Sequence, residues 1–195
     1  MAYNFEGSYK GEGGYFGLKP DKEIISILKY IKNGYVLDLG VGEGRNALFL
    51  AKKGFNVTGI DLSKTGINHF LKSSKAINVK VKAIIKDIIK FRFNKDYDII
   101  ISSSTLHFLN EKHVYKIIKN MKAHTNKGGI NFIKVFTVKN PAKNFPYLFK
   151  KNELKKIYKD WKILQYKEHL TPFEKHGESG MLHKHAIASI IARKI

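Results

Sequence analysis

Apolar residues recur along this chain in two alternating ways. Short continuous apolar runs at 35–39, 56–60, 79–84, 97–101 and 129–136 read as strands. Between them lie stretches with apolar residues three and four apart, which read as helices at 45–53, ended by Gly54, at 64–73, N-capped by Ser63, and at 112–122. An earlier helix over 21–31 opens at Pro20 and Asp21 and carries Ile24, Ile25, Leu28 and Ile31 on one face. A later one over 151–159 follows a loop that holds Pro141 and Pro146. Two final runs, 162–168 and 185–193, have no helix between them and are expected to pair as antiparallel neighbours. Strand–helix alternation of this kind predicts one α/β domain over 1–195 with a mostly parallel, doubly wound sheet. Neither a repeat nor a domain boundary is visible.

Residues 1–20 stand apart from this pattern. Gly7, Gly11, Gly13, Gly14 and Gly17 are interleaved with Tyr3, Phe5, Tyr9, Tyr15 and Phe16. Glycine frees the backbone and the rings supply apolar surface, so a flexible flap closing over a ligand and a frayed terminus are both open readings.

Charge changes the picture less than its size suggests. The formal net charge is +20, and of 36 basic residues only Arg45, Arg92 and Arg193 are arginine, leaving 33 lysines. A basic surface favours nucleic acid, but bidentate phosphate and base contacts usually fall to arginine. Lysines spread over the whole chain weigh towards compositional bias, with a general attraction for small anions. Cysteine is absent, which excludes disulfides, thiolate metal sites and a cysteine nucleophile, and suits a cytoplasmic chain. No basic-then-apolar leader is visible at the start, and no apolar run approaches the roughly 18 residues of a membrane span, so no membrane partner is expected.

The candidate chemistry begins at Val36-Leu37-Asp38-Leu39-Gly40-Val41-Gly42-Glu43-Gly44-Arg45-Asn46, where an apolar strand runs into glycines and then a helix. Ligands of open α/β sheets bind beyond the strands' carboxyl ends, where strand order reverses. The spacing departs from the dinucleotide fingerprint, which needs glycine where Arg45 stands, and from the G-x-x-x-x-G-K-[ST] phosphate loop. Asp61 closes the second strand, 23 residues after Asp38, where a carboxylate can accept from ribose hydroxyls. Together these features predict a nucleoside site that need not hold phosphates.

This combination resembles the class I S-adenosylmethionine-dependent methyltransferases. The residues that carry the resemblance are Asp38 to Gly44, Asp61, Lys86-Asp87-Ile88 and Tyr97-Asp98-Ile99-Ile100-Ile101-Ser102. It implies a Rossmann-like seven-stranded sheet with a C-terminal antiparallel hairpin, and S-adenosyl-L-methionine as cofactor. By the same resemblance the backbone at Gly40 and Gly42 lies along the methionine part and Asp61 holds the ribose. Asp87 and the Ile88 amide meet the adenine, and Ser102 sits near the methionine amino group. Asp38, Gly44, Arg45, Asn46 and Leu62 complete the expected cofactor set; Arg45 opens a helix, where a cation opposes the helix dipole, which points to an anionic partner such as the methionine carboxylate. A narrower likeness is to the tellurite-resistance (TehB-like) methyltransferases. It rests on Gly44-Arg45-Asn46, Phe108-Leu109, Phe145-Pro146-Tyr147-Leu148-Phe149-Lys150-Lys151-Asn152-Glu153-Leu154, Trp161 and Ala192-Arg193-Lys194. Family members carry arginines in the loop between the last two strands. Here that loop reads Phe173-Glu174-Lys175-His176 and Leu182-His183-Lys184-His185, basic but without arginine.

Methyl transfer from a sulfonium is an in-line displacement in which the protein positions the nucleophile and excludes water. A soft acceptor such as a chalcogen oxyanion or a thiolate needs no general base. Candidate catalytic residues are His107, after the fourth strand, and His183 and His185, which alternation puts on one face. Candidate substrate contacts are Tyr15, Phe16 and Tyr147, whose ring faces can stack around a sulfonium, and Lys175 and His176. The His183–His185 spacing could suit a metal, but no carboxylate or third histidine is fixed beside it in sequence, so no metal ligand is assigned. The expected partner is a small-molecule substrate, tellurite or selenite being candidates. Nucleic acid is not favoured, because the fourth strand ends in Ser102-Ser103-Ser104-Thr105 and not in an Asn/Asp-Pro-Pro-aromatic turn. RNA or protein methylation, and cofactor binding without catalysis, are the alternatives.

Overall fold

A computed structural model describes residues 5–11, 14–175 and 181–195. A short helix α1 (Phe5–Ser8) lies in the glycine-rich opening, and α2 (Lys22–Ile27) follows it. Then come β1 (Tyr35–Leu39), α3 (Arg45–Lys52), β2 (Asn56–Asp61), α4 (Lys64–Ala76), β3 (Val81–Ile85), β4 (Tyr97–Ser103), α5 (Glu111–Ala123) and β5 (Thr125–Phe136). The chain ends with α6 (Glu153–Ile157), β6 (Lys162–Leu170) and β7 (Ala186–Arg193). The seven strands form one sheet in the order β3-β2-β1-β4-β5-β7-β6. Strands β1 to β5 are parallel, and β7 runs antiparallel to both β5 and β6. This is the Rossmann-like sheet with a C-terminal antiparallel hairpin that the sequence predicts. Strand order reverses at β1, so the cleft beyond its carboxyl end is the switch point.

The apolar strands are buried because each face of the sheet is covered. Leu37, Leu39, Ile100, Ile133 and Ile190 pack with Val114 and Ile118 of α5 and with Tyr158 and Trp161. Val36, Val57, Ile99, Ile101 and Phe132 pack on the other face with Ile24, Leu50 and Phe70 of α2, α3 and α4. Ser63 caps α4 by accepting from the Gly66 N–H, as its position predicts.

Some element bounds differ from the sequence reading. The helix expected over 21–31 is α-helical only to Ile27. The next turns tighten to bonds from Leu28, Lys29 and Tyr30 back three residues, which satisfy the terminal carbonyls ahead of Gly34. The helix expected over 151–159 is limited to Glu153–Ile157, entered from Asn152 at φ 61°. Strand β5 starts at Thr125, before 129, because the polar stretch around Gly128 (φ 78°) is accommodated as a register shift against Tyr97 and Ile99 of β4. No described helix is long and apolar enough to cross a membrane.

Candidate active site

A cavity of about 970 Å³ opens at the switch point, walled by the residues that follow β1, β2, β3, β4 and β5 and by the opening segment. The glycine turn after β1 forms its floor. Gly40 adopts φ 81° and Gly42 φ 54°, where an L side chain is strained. A Cβ on Gly40 would overlap the Thr105 hydroxyl, and one on Gly42 would meet the Tyr9 hydroxyl at 2.6 Å. The turn is fastened to the end of β2. Gly40 and Val41 donate to the Ile60 carbonyl, and the Gly42 N–H donates to Asp61 Oδ2 at 2.7 Å.

Three carboxylates stand at or just past the carboxyl ends of three adjacent strands. Asp38 is on β1, Asp61 ends β2, and Asp87 lies just past β3, its side chain accepting from the Ile89 N–H. All three line the cavity, as do Gly44, Leu62 and Ile88. Burial, reinforced by Asp21 and Asp61, pushes the Asp38 carboxyl up to about 8. Burial also raises Asp61, against backbone donors from Ser63 and Gly42.

A second group of polar side chains converges on Asp21. Its Oδ1 accepts from Lys134 Nζ at 2.6 Å and from Arg45 at 2.9 Å, and its Oδ2 accepts from Asn46 Nδ2 at 3.0 Å and Ser103 Oγ at 2.7 Å. The Asp21 N–H donates to Asn46 Oδ1. Burial alone would raise this carboxyl, but Lys134 and Arg45 together outweigh it and hold it at about 2. Arg45 therefore has an anionic partner within the chain, and it and Asn46 still reach the cavity wall.

His107 is fully buried in the wall and stacks on Phe136 with ring centroids 3.8 Å apart. Its Nδ1 accepts from the Phe136 N–H at 3.3 Å, which places the ring proton on Nε2. That Nε2 has no hydrogen-bond partner among the described residues. Burial, with His185 and Lys134 nearby, depresses its pKa well below the usual value, so the ring is neutral. His185 stacks on Phe136 at 4.1 Å, and His183 lies 4.8 Å from His185, both in the cavity wall.

The described part of the opening segment lies over this cavity. Phe5, Tyr9, Tyr15, Phe16 and Gly17 contribute to its wall. Glu6 accepts from the Lys64 and Thr65 N–H groups at the start of α4, where the helix dipole favours an anion. Glu43 accepts from the Gly14 N–H at 2.9 Å and the Tyr15 N–H at 2.8 Å, tying the segment to the glycine turn.

Several expected contacts lie elsewhere. Ser102 is fully buried and outside the cavity wall. Successive strand side chains point to opposite faces, and Ser103 and Ser104 take the wall positions. Tyr147 is also outside the wall, its hydroxyl held by Glu153 and facing Tyr115, while Phe145 of the same segment reaches the cavity. Lys175 is exposed and away from the wall. His176 lies outside the described residues. Conversely, Asp21, Glu43, Ser103 and Lys134 were not expected in the site. Lys134 leaves a trace in the sequence as a lone charge in the run Asn131-Phe132-Ile133-Lys134-Val135-Phe136, at a strand position only 14% exposed. A carboxylate also stands beside the histidine pair. Glu174, His183 and His185 bring one potential ligand atom each to within 4.8 Å of the others.

The fold defines the class, a Rossmann-like α/β domain with its cavity at the switch point. Residues 15–191 match the family described as tellurite resistance protein TehB, and the chain belongs to that family. A probable S-adenosyl-L-methionine-dependent methyltransferase TehB of Haemophilus influenzae is 37% identical over 175 residues, which is 88% of this chain and 61% of that protein. The crystal structure of TehB from Haemophilus influenzae aligns with TM-score 0.82 at 36% identity, covering 90% of this chain and 62% of the other. This chain thus spans about three-fifths of the length of these relatives. The fold is also shared with magnesium protoporphyrin IX methyltransferase of Synechocystis, solved with bound SAM, at TM-score 0.65 and 16% identity, covering 89% of this chain and 79% of that one.

Proposed function

We propose that this chain is an S-adenosylmethionine-dependent methyltransferase acting on a small soft nucleophile of the tellurite or selenite class. The observation that carries the reading is the row of carboxylates Asp87, Asp61 and Asp38 at the carboxyl ends of three adjacent strands, beside a glycine turn at the switch point, in a TehB-family chain. The residues fit the cofactor on physical grounds. Asp38 sits protonated near neutral pH because burial and the neighbouring Asp21 and Asp61 outweigh Arg45, and the ligand's ammonium and sulfonium would favour its charged form. The cavity is at the upper end of the roughly 300–1,000 Å³ range of small-molecule sites, enough for a nucleoside ligand and a small acceptor. Bound there, S-adenosylmethionine supplies a methyl group on a positively charged sulfur.

The chain's own residues do the rest. Asp61 accepts from ribose hydroxyls, Asp87 and the Ile88 N–H face the adenine, and the backbone at Gly40 and Gly42 lets the ligand approach closely. Tyr15, its N–H held by Glu43, and the adjoining Phe16 cover the site and exclude water. His107 is neutral, and its Nε2–H donates to an oxygen of the acceptor, orienting its lone pair. No general base is required for such an acceptor.

The test is a sealed-vial assay of purified protein, S-adenosylmethionine, a reductant and either tellurite or selenite. The expected outcome is volatile methylated product in the headspace together with S-adenosylhomocysteine in the liquid, both above a no-enzyme control. Cofactor binding without either product would overturn the chalcogen acceptor and move the acceptor to organic thiols.

A further inference from the structure

We propose that Glu174, His183 and His185 form a divalent transition-metal site of the zinc class at the wall of the cavity. His183 and His185 are two residues apart in extended chain, which puts both rings on one side. Glu174 faces His183 directly across an antiparallel bridge, with Glu174 N–H to His183 carbonyl at 2.8 Å and His183 N–H to Glu174 carbonyl at 2.9 Å. The three donor atoms come within 4.8 Å of one another. A tetrahedral ion with bonds of about 2.0–2.2 Å holds its donors about 3.3 Å apart, so small side-chain rotations close the set.

The surroundings are those of a ligand set. A metal-binding histidine usually donates its other ring N–H to a carbonyl, which fixes the tautomer. The Nδ1 of His183 lies 2.7 Å from the Met181 carbonyl, so Nδ1 is the donor and Nε2 the ligand nitrogen. The Nδ1 of His185 lies 3.2 Å from Asn140 Oδ1, an oxygen that also accepts from the Ala186 N–H, so here too Nδ1 carries the proton. The Nε2 of His185 lies 4.0 Å from Glu174 Oε1. Thr171 orients both partners. Its hydroxyl donates to Glu174 Oε1 at 3.1 Å and accepts from the His185 N–H at 2.9 Å. Lys184, between the two histidines, is turned onto the Phe173 ring with Nζ 4.1 Å from its centroid. Two imidazoles and one carboxylate suit zinc-class ions better than magnesium or calcium, which prefer all-oxygen sets. Three protein ligands leave a tetrahedral ion one open position, available to an anionic oxygen or sulfur. The ion site itself does not depend on the methyl-transfer reading.

The experiment is calorimetric titration of the chelator-treated full chain with zinc chloride alone, with cobalt(II) absorption as a second readout of nitrogen ligation. The expected result is one saturable ion per chain, with binding weakened more than about 100-fold by His183→Ala or His185→Ala and about 10-fold by Thr171→Val, which removes only the orienting hydroxyl. Glu174→Gln keeps the shape of the carboxylate and should weaken binding comparably to the histidine changes. His113→Ala, on α5, should leave it unchanged. Circular dichroism of each variant establishes folding. No saturable binding by the folded wild-type chain would overturn the proposal, as would binding retained by a folded His183→Ala/His185→Ala double variant.

Discussion

Lys134 Nζ and Asp21 Oδ1, 113 positions apart, meet at 2.6 Å in the wall of the cavity. Asp21 stands at the N-cap of α2, yet its side chain makes no cap bond, because the carboxylate is spent on Lys134, Arg45, Asn46 and Ser103. The contact joins the segment before the sheet to the end of β5. It also places a fixed anion beside Asp38 and so helps keep that second carboxyl protonated.

This pairing sets an acid limit on stability. The folded Asp21 carboxyl titrates at about 2 against an ordinary 3.8, so its contribution is complete above about pH 4 and lost as pH falls towards 2. That contribution is about 2 kcal/mol. Thermal unfolding of the wild type and Asp21→Asn between pH 2 and 6 should show a gap that closes at the acid end. Lys134→Met should destabilise by about 3 kcal/mol near neutral pH, since it removes one partner of a buried pair.

Asp38 has the opposite sign. Its folded pKa is raised to about 8, so the folded state holds a proton that the unfolded state has released. Stability attributable to this group therefore falls from about pH 4 to pH 8 and is flat above. Binding a cationic ligand at pH 7 should expel about one proton. Calorimetry of S-adenosylmethionine binding in buffers of different ionisation enthalpy should detect that proton at pH 7, little of it at pH 9, and none in Asp38→Asn.

His107→Phe preserves the stack on Phe136 and deletes the Nε2–H donor. Turnover should fall about 10–100-fold, the value of a hydrogen bond to a charged oxygen, with cofactor affinity unchanged. Equal turnover in the two proteins would remove His107 from the reaction.

Gly40→Ala forces a Cβ into the left-handed region and against the Thr105 hydroxyl. The backbone term alone costs about 1–2 kcal/mol. Loss of melting temperature should come with loss of cofactor binding, because the same turn carries the Gly42 N–H to Asp61.

Asp61→Ala tests the ribose assignment. It should weaken cofactor binding by about 1.5–3 kcal/mol. Unchanged affinity by calorimetry would place the nucleoside elsewhere.

Legibility in the sequence followed the range of the forces involved. Strand–helix alternation, the glycine turn, Asp61 at its strand end and the Ser63 cap depend on residues a few positions apart, and their spacing alone carries them. The final hairpin was legible for the same reason, since nothing helical separates β6 from β7. Ser102 and Ser103 mark the limit, because apolar runs name a strand but not which of two neighbouring serines faces the cleft. The Asp21–Lys134 pair and the meeting of Glu174 with His183 and His185 lie beyond that limit. Lys134 meets Asp21 because β5 brings a distant position to the segment before the sheet, and Glu174 meets the histidines because the stretches after β6 and before β7 pair at the Glu174–His183 bridge; neither meeting leaves a periodic trace in the chain.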